Sequence, residues 1–540
     1  MFTWLLALSI AAGAQHDPHA AAAAPPAALM AGLGRLHHPI ATRNADAQRF
    51  FDQGLTLVYG FNHDEAIRAF ERAAELDPAS PMPHWGIALA LGPNINLDVD
   101  PAREQAAFDA ARRAVRLAAH APSRERAYVD AIAKRYSNDP KADLKALAVD
   151  YKNAMRALAQ KYPKDLDAQA LYAESLMDLH PWQLWSNDGH PTEGTEEIVA
   201  VLERALKQDP SHIGANHYYI HAVEASPAPE RALASARRLE TLVPAAGHLV
   251  HMPSHIYMRT GEYQSAVTSN ARAAQVDREY IERTGVEGVY PVMYYTHNLD
   301  FLASAAMMTG QSAEAVRSAD AVVAHAAPAL AQMPMLEPFA AKKLFVLLRF
   351  ARWHEVLALP APEAKYPILT SLHHFGRGVA HAAIGEVSEA ESDRASYATA
   401  RQAVPADADW GNNKAGAIFT LIDAVLDARL AHARHDEAAS IAAWRRAVSA
   451  QDGLNYDEPP DWFYPVRESL GAELLRAGHA DEAERVFNED LVRNPRNPRS
   501  LFGRWQALLM AGKGEQASAA EKDYKAAWTA ADVPLRLADF

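Results

Sequence analysis

Two pairs of histidines stand four residues apart, His217 with His221 and His251 with His255, and the second pair follows the first by 34 residues. Residues i and i+4 share a helix face, and 34 residues is the length of one helix-turn-helix repeat. Four imidazoles are therefore expected on neighbouring helices, facing one surface. Glu174 and Asp178 show the same spacing earlier in the chain, and Tyr294 with His297 follows later. Such groups are costly to bury unless they are paired or bound to a cation, and imidazole with carboxylate is a ligand set for zinc, copper or iron. The expected ligands are His217, His221, His251 and His255, or three of these with Glu174 or Asp178. If all six bind, the count suits two ions sharing a carboxylate. Zinc is the first choice, copper or iron the alternatives, and one ion or two stays open. A hydrogen-bonded network of core side chains is the competing reading.

Further residues qualify for work around such a site. Glu224, three positions beyond His221, and Tyr294 are candidates to move a proton. The stretch DLHPWQLW places His180, Trp182 and Trp185 in a connection where they would form an aromatic wall, or else fill a seam. His297 belongs to the pocket on the same grounds. LTSLHHFGRG adds His373 and Arg377, the latter suited to an anionic substrate. NYDEPPDWFYPVRES adds Glu458 as a third proton-carrying candidate and Trp462 as a pocket residue, with Asp457 and Asp461 also readable as helix caps. His63, in a turn, is expected at the surface.

The elements that must position these residues are helices. AQRFFDQGLTLVYGFNHDEAIRAFERAAELDP, from Ala47, has apolar residues at intervals of three and four, a break from Gly60 to Asp64, and Pro78 at its end. YPVRESLGAELLRAGHADEAERVFNEDLVRNP, from Tyr464, has the same layout. Both segments resemble tetratricopeptide repeats, with Gly54 or Gly471 in the first helix, Ala66 or Ala483 opening the second, then Phe70 or Phe487, and Pro78 or Pro495 closing. The strings GFNHDEAIRAF, HWGIALALGPNIN, LYAESLMDLHPWQLW, NHYYIHAVEAS and GHLVHMPSHIYMRTGEY are similar to a poorly characterised family of bacterial tetratricopeptide-type proteins with a histidine-rich groove. The resemblance implies an all-α, α/α superhelix of about nine or ten helix pairs, in which the first helix of each pair lines an inner groove. It also puts His217, His221, His251 and His255 at groove positions of successive repeats. Long connections at Gly92 to Arg103 and His180 to Thr195 suggest a partly closed superhelix.

The domain expectation is a signal peptide over residues 1–14, a flexible Ala/Pro-rich leader over 15–40, an N-terminal superhelix carrying the groove over 41–330, and a C-terminal superhelix over 331–540. The first residues, MFTWLLALSIAAGAQ, lack the usual basic start of a signal peptide but keep its apolar run and small-residue end. They point to the periplasm or secretion, and to the cytoplasm if the start is misassigned. No transmembrane segment is expected in the mature chain.

The 540 residues are 49% hydrophobic, enough for long buried cores, and the net charge of -14 argues against nucleic acid as a partner. The chain has no cysteine, which excludes disulfides and thiolate metal sites. There is no P-loop, dinucleotide fingerprint, HExxH or GxSxG. The expected function is an exported metalloprotein that hydrolyses or oxidises a small substrate. The alternatives are a scaffold binding a peptide or protein partner in the groove, and a metal storage or delivery protein.

Overall fold

The computed structural model describes residues 27–540, so the expected signal peptide and residues 15–26 of the leader lie outside the described residues. The described chain is built from antiparallel helix pairs, each helix packing most heavily on its neighbours in sequence. The described chain forms two compact units that divide between Pro253 and Ser254. No described helix is long and apolar enough to cross a membrane.

In the first unit, Ala45–Tyr59 and His63–Leu76 form the opening pair. Asn44 starts it by accepting the backbone N–H groups of Asp46 and Ala47, which the first turn of a helix leaves without partners. Gly60 to Asn62 turns the chain, with Phe61 at a left-handed φ of 55°. Packing between pairs depends on missing side chains. A methyl group on Gly54 would lie 2.6 Å from the Phe70 ring, and one on Gly86, in the next pair, 2.5 Å from it. The Phe70 ring is thus seated between two glycines, which lets three helices approach closely. The second unit repeats the device, with Phe487 between Gly471 and Gly503. The glycine and phenylalanine positions that carry the resemblance are therefore the positions at which helices meet.

Residues 27–40, expected as part of a flexible leader, bury Leu33, His38 and Ile40. The Gly32 carbonyl accepts the N–H of Ala245 at 3.0 Å, and the His38 Nδ1 lies 2.7 Å from Asp167. Asp167 also accepts the Tyr59 hydroxyl at 2.7 Å, so this segment is stapled to the start of the helix Leu166–Met177.

In the second unit, the described helices run as pairs, among them Thr296–Thr309 with Ser312–Ala326 and Pro498–Met510 with Gly514–Ala527. A short hairpin, Asp409–Trp410 with Asn413–Lys414, interrupts them. The core here is one large apolar cluster that includes Trp410, Trp444 and Trp462.

Candidate metal centre

His217 and His221 lie on the helix Ile213–Val223, and His248 on the short helix Gly247–His251. Each offers a ring nitrogen such that all three atoms lie within 4.8 Å of one another. All three residues are buried, at 0%, 2% and 2% exposure. The Nε2 atoms of His217 and His248 are 3.2 Å apart. Two nitrogens bound tetrahedrally to one zinc at about 2.0–2.1 Å would stand about 3.3 Å apart, so the observed separation needs almost no adjustment to accept an ion.

The outer ring nitrogens are held from behind. The Nδ1 of His217 is 2.6 Å from the Tyr59 carbonyl, and that of His221 is 2.8 Å from Glu224 Oε1. A carbonyl only accepts, so His217 carries its proton on Nδ1 and presents the Nε2 lone pair inward. A carboxylate behind His221 sets the same tautomer, which is the usual support of a metal-binding imidazole. Phe61 lines the three rings, with centroids 4.6 Å from His217, 5.9 Å from His221 and 5.1 Å from His248. Beside Phe61, His63 is buried rather than at the surface. Burial, with the nearby Arg103 charge, lowers its imidazole to about 3.

The connection after the helix Leu166–Met177 reaches this site. The Trp182 ring is 6.0 Å from that of His221, and the Trp185 Nε1–H donates to the Ala222 carbonyl at 2.8 Å. Both tryptophans therefore lie against the histidine helix. His180 is half-buried in the turn ahead of them.

The remaining expected ligands are placed differently. His248, which spacing did not single out, stands with His217 and His221. His251 lies on the same short helix, its ring stacked 5.8 Å from His248. Pro253 has no N–H to continue the helix Gly247–His251, which ends before His255. His255 belongs to the second unit, where its ring is 5.9 Å from His297. The signal that could have found His248 is its spacing of three from His251.

Glu174 and Asp178 come together, but with a cation already supplied: Arg135 Nη2 donates to Asp178 at 2.7 Å. Burial pushes both carboxyls up, and for Asp178 the adjacent Glu174 adds to it. They form a buried carboxyl pair around an arginine, and no metal-ligand group of the described residues includes them. The group His38, Asp165 and Asp167 also converges within 4.8 Å. Its oxygens serve the Tyr59 and Tyr128 hydroxyls and the Ala168 N–H, as a staple would.

Glu224, expected to carry a proton, is buried with its Oε1 2.8 Å from the His221 Nδ1. The other expected residues lie in the second unit. Tyr294 is buried in the π-helical turn Tyr290–Tyr295, stacked on Tyr290 at 5.4 Å. Arg377 donates to Asp393 at 3.2 Å and to the Leu357 carbonyl at 3.3 Å. His373 stands 5.4 Å from His374, and burial lowers its imidazole. Glu458 and Trp462 are both buried and border one cavity. Asp457 and Asp461 cap no helix: they accept from the Asn412 N–H at 2.9 Å and the Asn413 Nδ2 at 2.7 Å, fastening the hairpin.

No family model matches the chain, and no curated protein matches it. Among solved structures, the human IFIT1 dimer with m7Gppp-AAAA is similar over 90% of this chain and 91% of that chain, with 11% identity and a TM-score of 0.32. The described chain is a helical-repeat protein built of helix pairs, and its first unit carries three histidines whose ring nitrogens converge closely enough to hold a metal ion.

Proposed function

We propose that the protein is a helical-repeat metalloenzyme in which His217, His221 and His248 hold one divalent ion, zinc in the first instance. The observation that carries this reading is the convergence of three buried ring nitrogens, with Tyr59 and Glu224 fixing two rings from behind. Three protein ligands leave a fourth position for water or substrate, as catalytic sites do and closed structural sites do not. An ion bound there supplies Lewis acidity for hydrolysis, or redox chemistry if it is iron or copper. The residues of this chain orient the imidazoles through Tyr59 and Glu224, exclude water with Phe61, and frame the approach with Trp182. Export is part of the reading through the apolar stretch at residues 2–12, and the net charge of -14 speaks against a nucleic-acid partner.

The test is metal analysis of untagged protein, as purified and after exposure to zinc, iron(II) or copper(II) followed by desalting. About one ion per chain is expected in the parent, and loss of it in His217→Ala, His221→Ala and His248→Ala. A parent protein that carries no ion and takes up none of the three would overturn the reading and leave a peptide-binding scaffold. A loaded protein that turns over no ester, amide or oxidisable substrate would favour storage or delivery.

A further inference from the structure

Residues 533–540 follow the last helix pair of the second unit and join no other, their one regular element being the single turn Leu537–Asp539. One side of this segment faces the protein: Val533, Leu535, Leu537 and Asp539 are partly buried, while Pro534, Arg536 and Ala538 are exposed. Leu535 and Leu537 pack on the large apolar cluster of the unit, and Phe540 is buried at 2% exposure.

Three arginines, from the helices Ala415–Ala433, Arg467–Arg476 and Pro498–Met510, take carbonyls of the segment. Arg476 Nη2 donates to Leu537 at 2.7 Å, Arg499 Nη2 to Asp539 at 2.5 Å and Arg429 Nη1 to Phe540 at 2.6 Å. Each guanidinium is also held by the helices: Arg476 by Glu473 at 2.9 Å, Arg499 by Glu468 at 2.9 Å, and Arg429 over the Trp444 ring at 5.1 Å. The one carboxylate of the segment, Asp539, pairs with its own Arg536 at 2.9 Å and lends some of its charge to Arg499. Bonds to carbonyls are open to any sequence. Selection falls to Phe540, whose ring stacks 5.9 Å from that of Phe502 with the Arg499 guanidinium 4.2 Å from its centre.

Phe540 does not fill its pocket. A cavity of about 30 Å³ borders it, with Leu348, Val379 and Val425 among its apolar walls and Arg349 and Arg499, both bonded to Glu468, among its polar ones. Main-chain hydrogen bonds for affinity, with a side-chain pocket for choice, are the logic by which extended peptides are recognised.

We propose that this surface is a peptide-binding groove that residues 533–540 occupy in cis, and that its partner in trans is an extended segment with an aromatic anchor, tryptophan in preference to phenylalanine. A tethered occupant acts at an effective concentration on the order of millimolar, so it excludes weak competitors and yields to a better anchor. The groove does not depend on the histidine triad.

The probes are amidated peptides: VPLRLADF, which copies residues 533–540, and its forms VPLRLADW and VPLRLADA. In the unmodified full chain, hydrogen exchange at residues 533–540, read by mass spectrometry, should quicken when VPLRLADW is added to about 1 mM and stay unchanged with VPLRLADA. The full chain carrying Phe540→Ala, its own anchor removed, should bind labelled VPLRLADW at least about tenfold more tightly than the parent does, and VPLRLADF less tightly than VPLRLADW. Adding Arg429→Leu should weaken that binding by about tenfold, through loss of one charge-assisted hydrogen bond. The inference is overturned if exchange in the unmodified chain does not respond to VPLRLADW, if Phe540→Ala binds it no better than the parent, or if VPLRLADA binds as well.

Discussion

The Nε2 atoms of His217 and His248 face each other at 3.2 Å while the Nδ1 of His217 is fixed 2.6 Å from the Tyr59 carbonyl. The backbone of one helix pair thereby chooses the tautomer of a ring on another. With the Nδ1 proton committed, the Nε2 lone pair of His217 points toward His248. His248→Ala should therefore abolish metal retention as completely as His217→Ala. Glu174→Gln should leave it intact, because Glu174 belongs to the Arg135 cluster. Metal content after dialysis measures both, and loss of the ion in Glu174→Gln would contradict the assignment.

Glu224 acts on the ion through His221. Glu224→Gln keeps the shape of the side chain but exchanges a charged acceptor for a neutral one. Metal affinity should fall by about 10–100-fold without a change in stoichiometry. Competition against a chelator of known affinity measures this, and an affinity within threefold or so of the parent would remove Glu224 from the support of the site.

Burial pushes the Asp277 carboxyl up to about 7, despite hydrogen bonds from the Tyr290 hydroxyl at 2.8 Å and the Asn298 Nδ2 at 2.7 Å. The folded chain then keeps a proton that the unfolded chain releases near its ordinary value of 3.8. Stability from this group is fully present below that value and is lost as pH rises to about 7, by up to about 4 kcal/mol. Asp277→Asn should flatten that part of the profile. Denaturant unfolding of parent and variant across the acid-to-neutral range provides the comparison, and identical slopes would refute the attribution.

Glu468, 1% exposed, accepts from both Arg349 and Arg499, with Asn497 Nδ2 also donating at 2.9 Å. Burial raises its carboxyl, but the two guanidinium charges more than offset this and leave it below the ordinary range. Glu468→Gln would leave two buried cations without their shared counter-charge. A loss of about 3–5 kcal/mol in unfolding free energy is expected, and a loss under about 1 kcal/mol would show that the arginines find other partners.

Gly503→Ala should destabilise the second unit by about 1–3 kcal/mol, because the new methyl group would lie 2.1 Å from the Phe487 ring. Gly514→Ala, with nothing within 4 Å of the added carbon, is the control and should be near neutral. Thermal unfolding of the two variants tests the contrast.

The repeat architecture was legible in the sequence because its signals are local. Gly54 with Phe70 and Gly471 with Phe487 could be recognised at fixed offsets, and the structure shows each phenylalanine seated on its glycine. His217 and His221 could be paired because the helix Ile213–Val223 is unbroken between them. His248 was not legible in this way: the 34-residue register pointed to His251 and His255, while His248, three residues before His251, stands with His217 and His221. For Glu174 and Asp178 the sequence could not show Arg135, about 40 residues away, which only folding brings beside them. Trp462 was expected to line a pocket and Glu458 to carry a proton, but the cavity that both border includes Tyr263 and Arg259, nearly 200 positions earlier in the chain.

A phenylalanine clasped between glycines of two consecutive modules has a bearing on how such a chain can be rearranged. A module excised or duplicated at its boundaries would carry Phe70 away from Gly86, or place it against a residue bearing a side chain. Recombination that preserves the array must therefore cut inside helices, keeping ring and receptor together.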